Sequence, residues 1–208
     1  MNFEMRRKPQ QTRSKQKVDS ILDTVEELAI ETGLKGLTTT NIAAMTGIAV
    51  GTIYQYFGNR TELLLAAEMR MFERLAERLY KESVNVLAEP AQDPIKQLIH
   101  IYLKSARAEP GYLPLLKFSV LNKPPGVNEA VVEEFAGDII RACILLHCPD
   151  LNASQMFVTQ RTVVSILAVL TDVVLLEPDP KLQKRFEAEM VAQCKYAVQR
   201  AGEANGAM

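Results

Sequence analysis

The sequence predicts an all-α protein with two domains, and three observations support this fold class. Apolar residues recur at helical spacing through most of the 208 residues, and no stretch alternates for long enough to suggest a sheet. Two short helix signals joined by one glycine lie at residues 37–57. Proline and glycine divide the remainder into further helices. We therefore expect a three-helix helix–turn–helix domain at residues 1–58 and a helical bundle at residues 59–208.

The first predicted helix precedes this pair and ends at Gly33. Its apolar stripe, spaced by three and four residues, consists of Val18, Ile21, Leu22, Val25, Leu28 and Ala29. Thr38 and Thr39 then supply hydroxyls that can cap the next helix. Gly47 stands where that helix must end, because only glycine enters the left-handed conformation without steric cost. The arrangement predicts a helix–turn–helix, whose second helix enters the major groove of DNA.

The face pattern of the second short helix predicts which residues are available to DNA. We expect Tyr54 and Phe57 on the inner face, with Ile53 beside Phe57. The residues left outside are Val50, Gly51, Thr52, Gln55 and Tyr56. Thr52 and Gln55 can hydrogen-bond base edges, and Val50 can touch a thymine methyl group. Gly51 lets the backbone approach DNA closely.

A second group of side chains is predicted to contact phosphates, which sets the register without reading the sequence. In the helical part, these residues are Thr39, Tyr56 and Arg60. Tyr54 is expected to pack inward, with only its hydroxyl able to reach a phosphate.

Residues 37–57 resemble the N-terminal DNA-binding domain of the TetR family of transcriptional regulators. The matching features are Thr38–Thr39, Ile42–Ala43, Gly47, Gly51–Thr52 and the Tyr-Gln-Tyr-Phe run at 54–57. The resemblance covers roughly residues 18–66. Ala49 departs from the family, which commonly has a capping hydroxyl there, so this helix start is weaker by about 1 kcal/mol. Arg60 stands where the family usually has lysine, and arginine can hold a phosphate with two donors.

The charge is distributed unevenly, although the formal net charge is only −1. Residues 1–17 carry six basic residues and one acidic residue, whereas residues 61–208 carry a net charge of −3. A basic arm before a helix–turn–helix favours an approach to DNA. Within it, Arg6 and Arg7 are predicted to follow the DNA backbone or enter a minor groove. A solvated tail without a target is the alternative.

Caps and breaking residues predict the helices of the second domain. The start signals are the capping-box pair Asn59 and Glu62, then Asp93-Pro94, Leu113, Asn128 and Asp179-Pro180. The stop signals are Pro90, Pro110-Gly111, Pro124-Pro125-Gly126 and Pro149.

Residues 163–176 are apolar on nearly every side, which is typical of a helix that is buried all round. A membrane span is disfavoured because these 14 residues are too few and Asp172 interrupts them. We expect this helix and the last one to pack against their symmetry mates in a homodimer, as the TetR resemblance also implies. The predicted interface residues are Ile166, Val169, Leu170, Val173, Phe186 and Met190. Burial in the core of a monomer is the alternative.

Polar and aromatic side chains on otherwise apolar helices are the candidates for an effector pocket. They are His100, Tyr102, Tyr112, Phe118, Met156, Phe157 and Arg161. Apolar surroundings favour a hydrophobic or aromatic effector. Each of these residues also fits a role in the core or on the surface.

The sequence carries none of the common catalytic or nucleotide-binding motifs, such as a Walker motif, GxSxG or a dinucleotide fingerprint. Its three cysteines and two histidines lack metal-ligand spacing. We therefore expect no enzyme activity, no cofactor and no metal. With no signal peptide recognised, the thiols are expected to stay reduced in the cytoplasm. A redox switch at Cys143 and Cys148 and a small helical enzyme using Cys143 or a histidine are the alternatives.

These observations together predict a DNA-binding regulator that works as a homodimer. One recognition helix reads too few bases to select a site, so two-fold symmetry and a palindromic operator are expected. We expect a repressor that a small hydrophobic or aromatic effector releases from double-stranded DNA. The alternative is a DNA-binding dimer controlled by a protein partner or without a ligand.

Overall fold

The computed structural model describes residues 12–90, 93–123 and 126–206. Within these ranges the chain forms nine α-helices and no strand, so the predicted all-α class is confirmed. The helices are α1 (Thr12–Thr32), α2 (Thr39–Thr46), α3 (Val50–Tyr56), α4 (Arg60–Ala88), α5 (Pro94–Ala108), α6 (Tyr112–Asn122), α7 (Val127–His147), α8 (Ala153–Leu176) and α9 (Pro180–Gly206). A short 3-10 turn, Gly33–Lys35, follows α1.

The helices group into two compact units. One contains the described residues of Met1–Glu73 and Arg107–Pro124, and the other those of Arg74–Ala106 and Pro125–Met208. The first unit therefore combines α1 to α3 and the first part of α4 with α6, which is distant in sequence. The predicted domain division after residue 58 stays a prediction.

The first unit is built on the apolar stripe of α1, which is buried along its whole length as predicted. This helix packs against α2 and α6. From α4, Leu63, Leu64 and Met71 are also fully buried. Complete burial stabilises each such side chain by about 1.5–3 kcal/mol. At Gly111, just before α6, an added Cβ would lie 3.1 Å from the Glu26 carbonyl oxygen, so α6 begins close to the backbone of α1.

The predicted caps at Thr38, Asp93 and Asn59 form in the structure, whereas Asn128 lies inside α7, whose N-cap is Gly126. The Thr38 hydroxyl accepts a hydrogen bond from the Asn41 backbone N–H at 3.2 Å, and Asp93 Oδ1 accepts one from the Lys96 N–H at 3.1 Å. At the start of α4, the Glu62 N–H donates to Asn59 Oδ1 at 2.9 Å. These local bonds satisfy N–H groups that have no partner within their own helices.

The second unit contains α8, which packs against α7 and α9. This helix has 24 residues and begins before the apolar run 163–176. It begins with a capping box in which Asn152 Oδ1 accepts from the Gln155 backbone N–H and Gln155 Oε1 accepts from the Asn152 backbone N–H, each at 3.0 Å. Polar residues in its first turns do not interrupt the helix because the cap fixes its beginning.

The length of α8 removes one sequence argument against a membrane span. By length and composition this helix is able to cross a membrane, and 33% of its most apolar 18-residue window is buried inside the chain. The buried part faces α7 and α9. The remaining part leaves an apolar surface on α8, and Val169 is 56% exposed there.

Candidate nucleic-acid interface

The turn between α2 and α3 has the predicted glycine geometry. Gly47 has a φ of 67°, in the left-handed region, and an added Cβ there would meet no atom within 4 Å. Its conformation, rather than crowding, therefore requires glycine. Ala49 precedes α3 without a side-chain cap, as its residue type predicts.

The inner face of α3 differs from the prediction. Ile53, Tyr56 and Phe57 are buried, whereas Tyr54 is 36% exposed. Tyr56 and Phe57 follow Ile53 by three and four residues, so these three side chains share one face of the helix. Tyr56 is only 8% exposed, so its predicted outward position is wrong, while its phosphate role stays a prediction.

Tyr54 is held at the surface by a hydrogen bond to α2. Its hydroxyl lies 2.9 Å from the Thr39 hydroxyl, and either group can donate. Thr39 itself is buried at the first position of α2. The two hydroxyls thus tie the uncapped α3 to the start of α2. Tyr54 therefore exposes more of its side chain at this surface than Tyr56 does.

The remaining predicted base contacts are accessible on α3. Gly51 and Gln55 are exposed, and Val50 and Thr52 are partly exposed. An added Cβ at Gly51 would meet no atom of the protein within 4 Å. Glycine at this position is therefore not required by packing inside the chain. The accessible side chains of α3 supply hydrogen-bond donors, hydrogen-bond acceptors and an apolar group, which can contact the edges of bases in a DNA groove.

Arg60 is the first residue of α4 and makes two contacts within the first unit. Its Nε donates to the Leu37 carbonyl oxygen at 2.6 Å. The guanidinium carbon lies 5.4 Å from the centre of the Phe118 ring, within range of a cation–π interaction. Neither contact was predicted, because both partners are distant in sequence. The phosphate role of Arg60 stays a prediction, and Arg6 and Arg7 lie outside the described residues.

The pocket candidates are divided between the two units. Tyr112 and Phe118 belong to α6 in the first unit, and Tyr112 is fully buried. The candidates in the second unit are His100, Tyr102, Met156, Phe157 and Arg161. Met156 is buried and Phe157 is 71% exposed, and the pocket role of both residues stays a prediction. His100 Nδ1 lies 3.4 Å from Glu187 Oε1 near the surface.

The predicted interface residues of α8 and α9 differ in accessibility. Val169 and Val173 are exposed, and Ile166, Leu170 and Phe186 are partly exposed. Met190 is only 1% exposed, and its sulfur lies 3.9 Å from the Thr171 hydroxyl. It therefore belongs to the core of the second unit, and its predicted place in an interface is corrected.

The three cysteines are free thiols in buried positions. Burial raises the pKa of the Cys143 thiol to about 11 and that of the Cys194 thiol to about 12. Because the thiolate is the nucleophile, both groups stay in the unreactive protonated form near neutral pH. In the described part of the chain, no group of three or more histidine, cysteine, aspartate or glutamate residues is placed to hold a metal ion.

Comparisons with known proteins agree with this geometry. Residues 21–67 match the family model "Bacterial regulatory proteins, tetR family". The match includes α2, α3 and the start of α4. No curated protein matches the sequence significantly.

Solved structures share the fold over most of this chain, beyond the residues that the family model matches. The TetR-family repressor AlkX from Dietzia sp. strain DQ12-45-1b has a TM-score of 0.58 and 17% identity, covering 88% of this chain and 95% of its own. The multidrug-binding protein EbrR, complexed with imidazole, has a TM-score of 0.59 and 18% identity, with coverage of 88% and 90%. RolR, in complex with resorcinol, has a TM-score of 0.56 and 20% identity, with coverage of 91% and 94%.

The family match confirms the resemblance that the residues between Thr38 and Phe57 carry, and the solved structures show the fold. Residues 21–67 are therefore similar to the N-terminal domain of the bacterial regulatory proteins of the tetR family.

Proposed function

We propose that the protein is a homodimeric transcriptional repressor that binds a palindromic operator in double-stranded DNA. The observation that carries this proposal is the open face of α3, where Gly51, Thr52 and Gln55 lie beside the Tyr54–Thr39 hydroxyl pair. Thr52 and Gln55 supply base-reading groups, and Val50 supplies an apolar contact for thymine. The hydroxyls of Tyr54 and Thr39 supply phosphate contacts that position the helix.

The homodimer is proposed from the surface of α8 and α9. Val169 and Val173 expose apolar side chains on the helix with the longest apolar stretch. Contiguous apolar surface is costly in water and is typical of contacts between subunits. Two copies related by a two-fold axis would present two α3 helices to DNA, which matches a palindromic site.

An effector is proposed to release the repressor from DNA. The EbrR and RolR structures carry imidazole and resorcinol, which are small ring compounds, on the same fold. The apolar helices of residues 59–208 would favour a hydrophobic or aromatic ligand in this chain. Such a ligand acts only if it binds the DNA-free arrangement more tightly than the DNA-bound one. We also propose a cytoplasmic location and no enzyme activity.

Selection of bound sequences from random double-stranded DNA tests the proposal. A dimer should enrich a palindrome with half-sites about one helical turn, roughly 34–36 Å, apart or at a multiple of it. Repeating the selection with a panel of small aromatic compounds tests the effector. Loss of enrichment with one compound supports release by a ligand, whereas an unchanged operator across a broad panel favours control by a protein partner or by none.

A further inference from the structure

We propose that Arg60 is a positioning residue that joins α6 to the start of α2, instead of a phosphate contact. This inference rests on the proposed function of the first unit as a DNA reader. The Arg60 bridge consists of Arg60, the Leu37 carbonyl and the Phe118 ring.

The two contacts of the bridge use different parts of one guanidinium. In the plane of the group, Nε donates to the Leu37 carbonyl oxygen at 2.6 Å. The Phe118 ring lies 5.4 Å from the guanidinium carbon. Leu37 is fully buried and directly precedes Thr38, the residue that caps α2. A displacement of Arg60 would therefore act on the backbone that positions the first turn of α2.

Arginine is the residue type that suits this bridge. Its planar group donates hydrogen bonds at its edge and stacks on an aromatic ring with its face. Lysine carries a compact ammonium without such a plane. The substitution of arginine for the lysine that the TetR family usually has at this position therefore has a physical explanation. The guanidinium group of Arg60 has an aromatic partner here, the ring of Phe118.

A second charged contact also connects α4 with α6. Lys123, at the end of α6, places Nζ 2.9 Å from Glu68 Oε2, and both side chains are buried. Phe118 lies within α6 and Lys123 directly follows its last residue, so α6 and the first part of α4 are joined at two points. The Arg60 bridge extends this connection to Leu37 and thus to α2. The position of α6 therefore influences the geometry of the helix pair that reads DNA.

A double-mutant cycle on the full chain without DNA tests the bridge. Arg60→Ala, Phe118→Leu and the double variant are compared by urea unfolding, and leucine preserves apolar volume at the half-buried Phe118. We expect the two substitutions to be coupled by about twofold to fivefold in the unfolding equilibrium constant. The control cycle uses a substitution at Arg70 in place of the one at Arg60. Arg70 is another arginine of α4, and it pairs with Asp23 and Glu26 of α1. Arg70→Ala and Phe118→Leu should be additive.

The salt dependence of operator binding tests the second half of the proposal. Arg60→Ala and Phe118→Leu should weaken binding by similar factors while leaving the slope of log K against log salt unchanged. A lost phosphate contact would instead reduce that slope by about 0.9 in Arg60→Ala alone. Additive effects of Arg60 and Phe118 on unfolding, or a reduced slope confined to the Arg60 variant, would overturn the assignment. If the unaltered chain selects no operator, the proposed function fails, and the unfolding cycle still decides whether the bridge exists.

Discussion

The Thr39 and Tyr54 hydroxyls lie 2.9 Å apart and join α2 to α3 across the glycine turn. The contact compensates for Ala49, which gives α3 no side-chain cap. It also fixes Tyr54 at the surface while its neighbours Ile53 and Tyr56 are buried. Helix α3 is therefore positioned by one side-chain hydrogen bond to α2 and by its buried face.

Removal of the Tyr54 hydroxyl should destabilise the protein. In Tyr54→Phe, the buried Thr39 hydroxyl loses its partner, and we expect a loss of about 0.5–1.5 kcal/mol in the free energy of unfolding. Operator affinity should also fall. Tyr196→Phe, at an exposed tyrosine of α9, is the matched control and should change the free energy little. Equal effects of the two substitutions in urea unfolding would contradict the role of the Thr39–Tyr54 bond.

Gly51→Ala should separate folding from DNA binding. The added methyl group meets no protein atom within 4 Å, and alanine is favoured over glycine in a helix by about 0.8–1.0 kcal/mol. We therefore expect unchanged or increased stability together with weaker binding to DNA. Thermal unfolding and fluorescence anisotropy with the selected operator measure the two quantities. A variant that binds as tightly as the unaltered chain would show that DNA does not approach the Gly51 backbone closely.

Lys123→Met should destabilise the protein in a pH-dependent manner. Burial raises the pKa of Glu68 above its usual value of 4.5, and Lys123 opposes this rise. Without Lys123 the pKa of Glu68 in the folded variant rises further. The contribution of Glu68 to the free energy of unfolding is therefore fully present below about pH 4.5 and is lost as the pH increases through the folded-state pKa. We expect a loss of about 3–5 kcal/mol near neutral pH, because a buried charge is left unpaired.

The pH dependence supplies the check on this prediction. Urea unfolding should show a smaller loss at about pH 4, where Glu68 is protonated in both states. Lys195→Met is the control, since Lys195 pairs with Asp93 at 2.9 Å in a more exposed position. It should cost no more than about 1 kcal/mol. The same large loss for Lys123→Met at both pH values would exclude the ionic explanation.

Val169→Glu should produce a folded monomer. The side chain is 56% exposed in the chain, so a carboxylate there is solvated in the monomer and buried only in the proposed dimer. Val84→Glu is a matched control, at a valine of α4 that is 54% exposed. Sedimentation velocity should give a monomer for the first variant and a dimer for the second. A Val169→Glu dimer with unaltered affinity would place the interface elsewhere.

Local chemistry explains which features of the first unit were predictable from the sequence. The Thr38 cap, the Gly47 turn and the Asn59–Glu62 start each depend on residues a few positions apart, and each forms as predicted. Faces of short helices are harder to assign. In the seven-residue α3, either Tyr54 or Tyr56 could be placed inward until the buried Ile53 and Phe57 fixed the face.

Contacts between distant segments were not predictable from the sequence. No local pattern relates Arg60 to Phe118, or Lys123 to Glu68, because these pairs depend on how α6 packs in the first unit. The start of α8 had a readable signal in Asn152 and Gln155, a cap followed three positions later by an amide. The polar residues after it concealed the continuation of the apolar helix.

The base preference at Gln55 shows whether the exposed residues of α3 read the sequence of DNA. Selection from random DNA is compared between the unaltered chain and Gln55→Ala, with Gln199→Ala on α9 as the control. We expect both the unaltered chain and the control to enrich the same palindrome. Gln55→Ala should lose discrimination at one base pair in each half-site, at a cost of about 1–3 kcal/mol. An identical preference at every position in all three proteins would contradict the account.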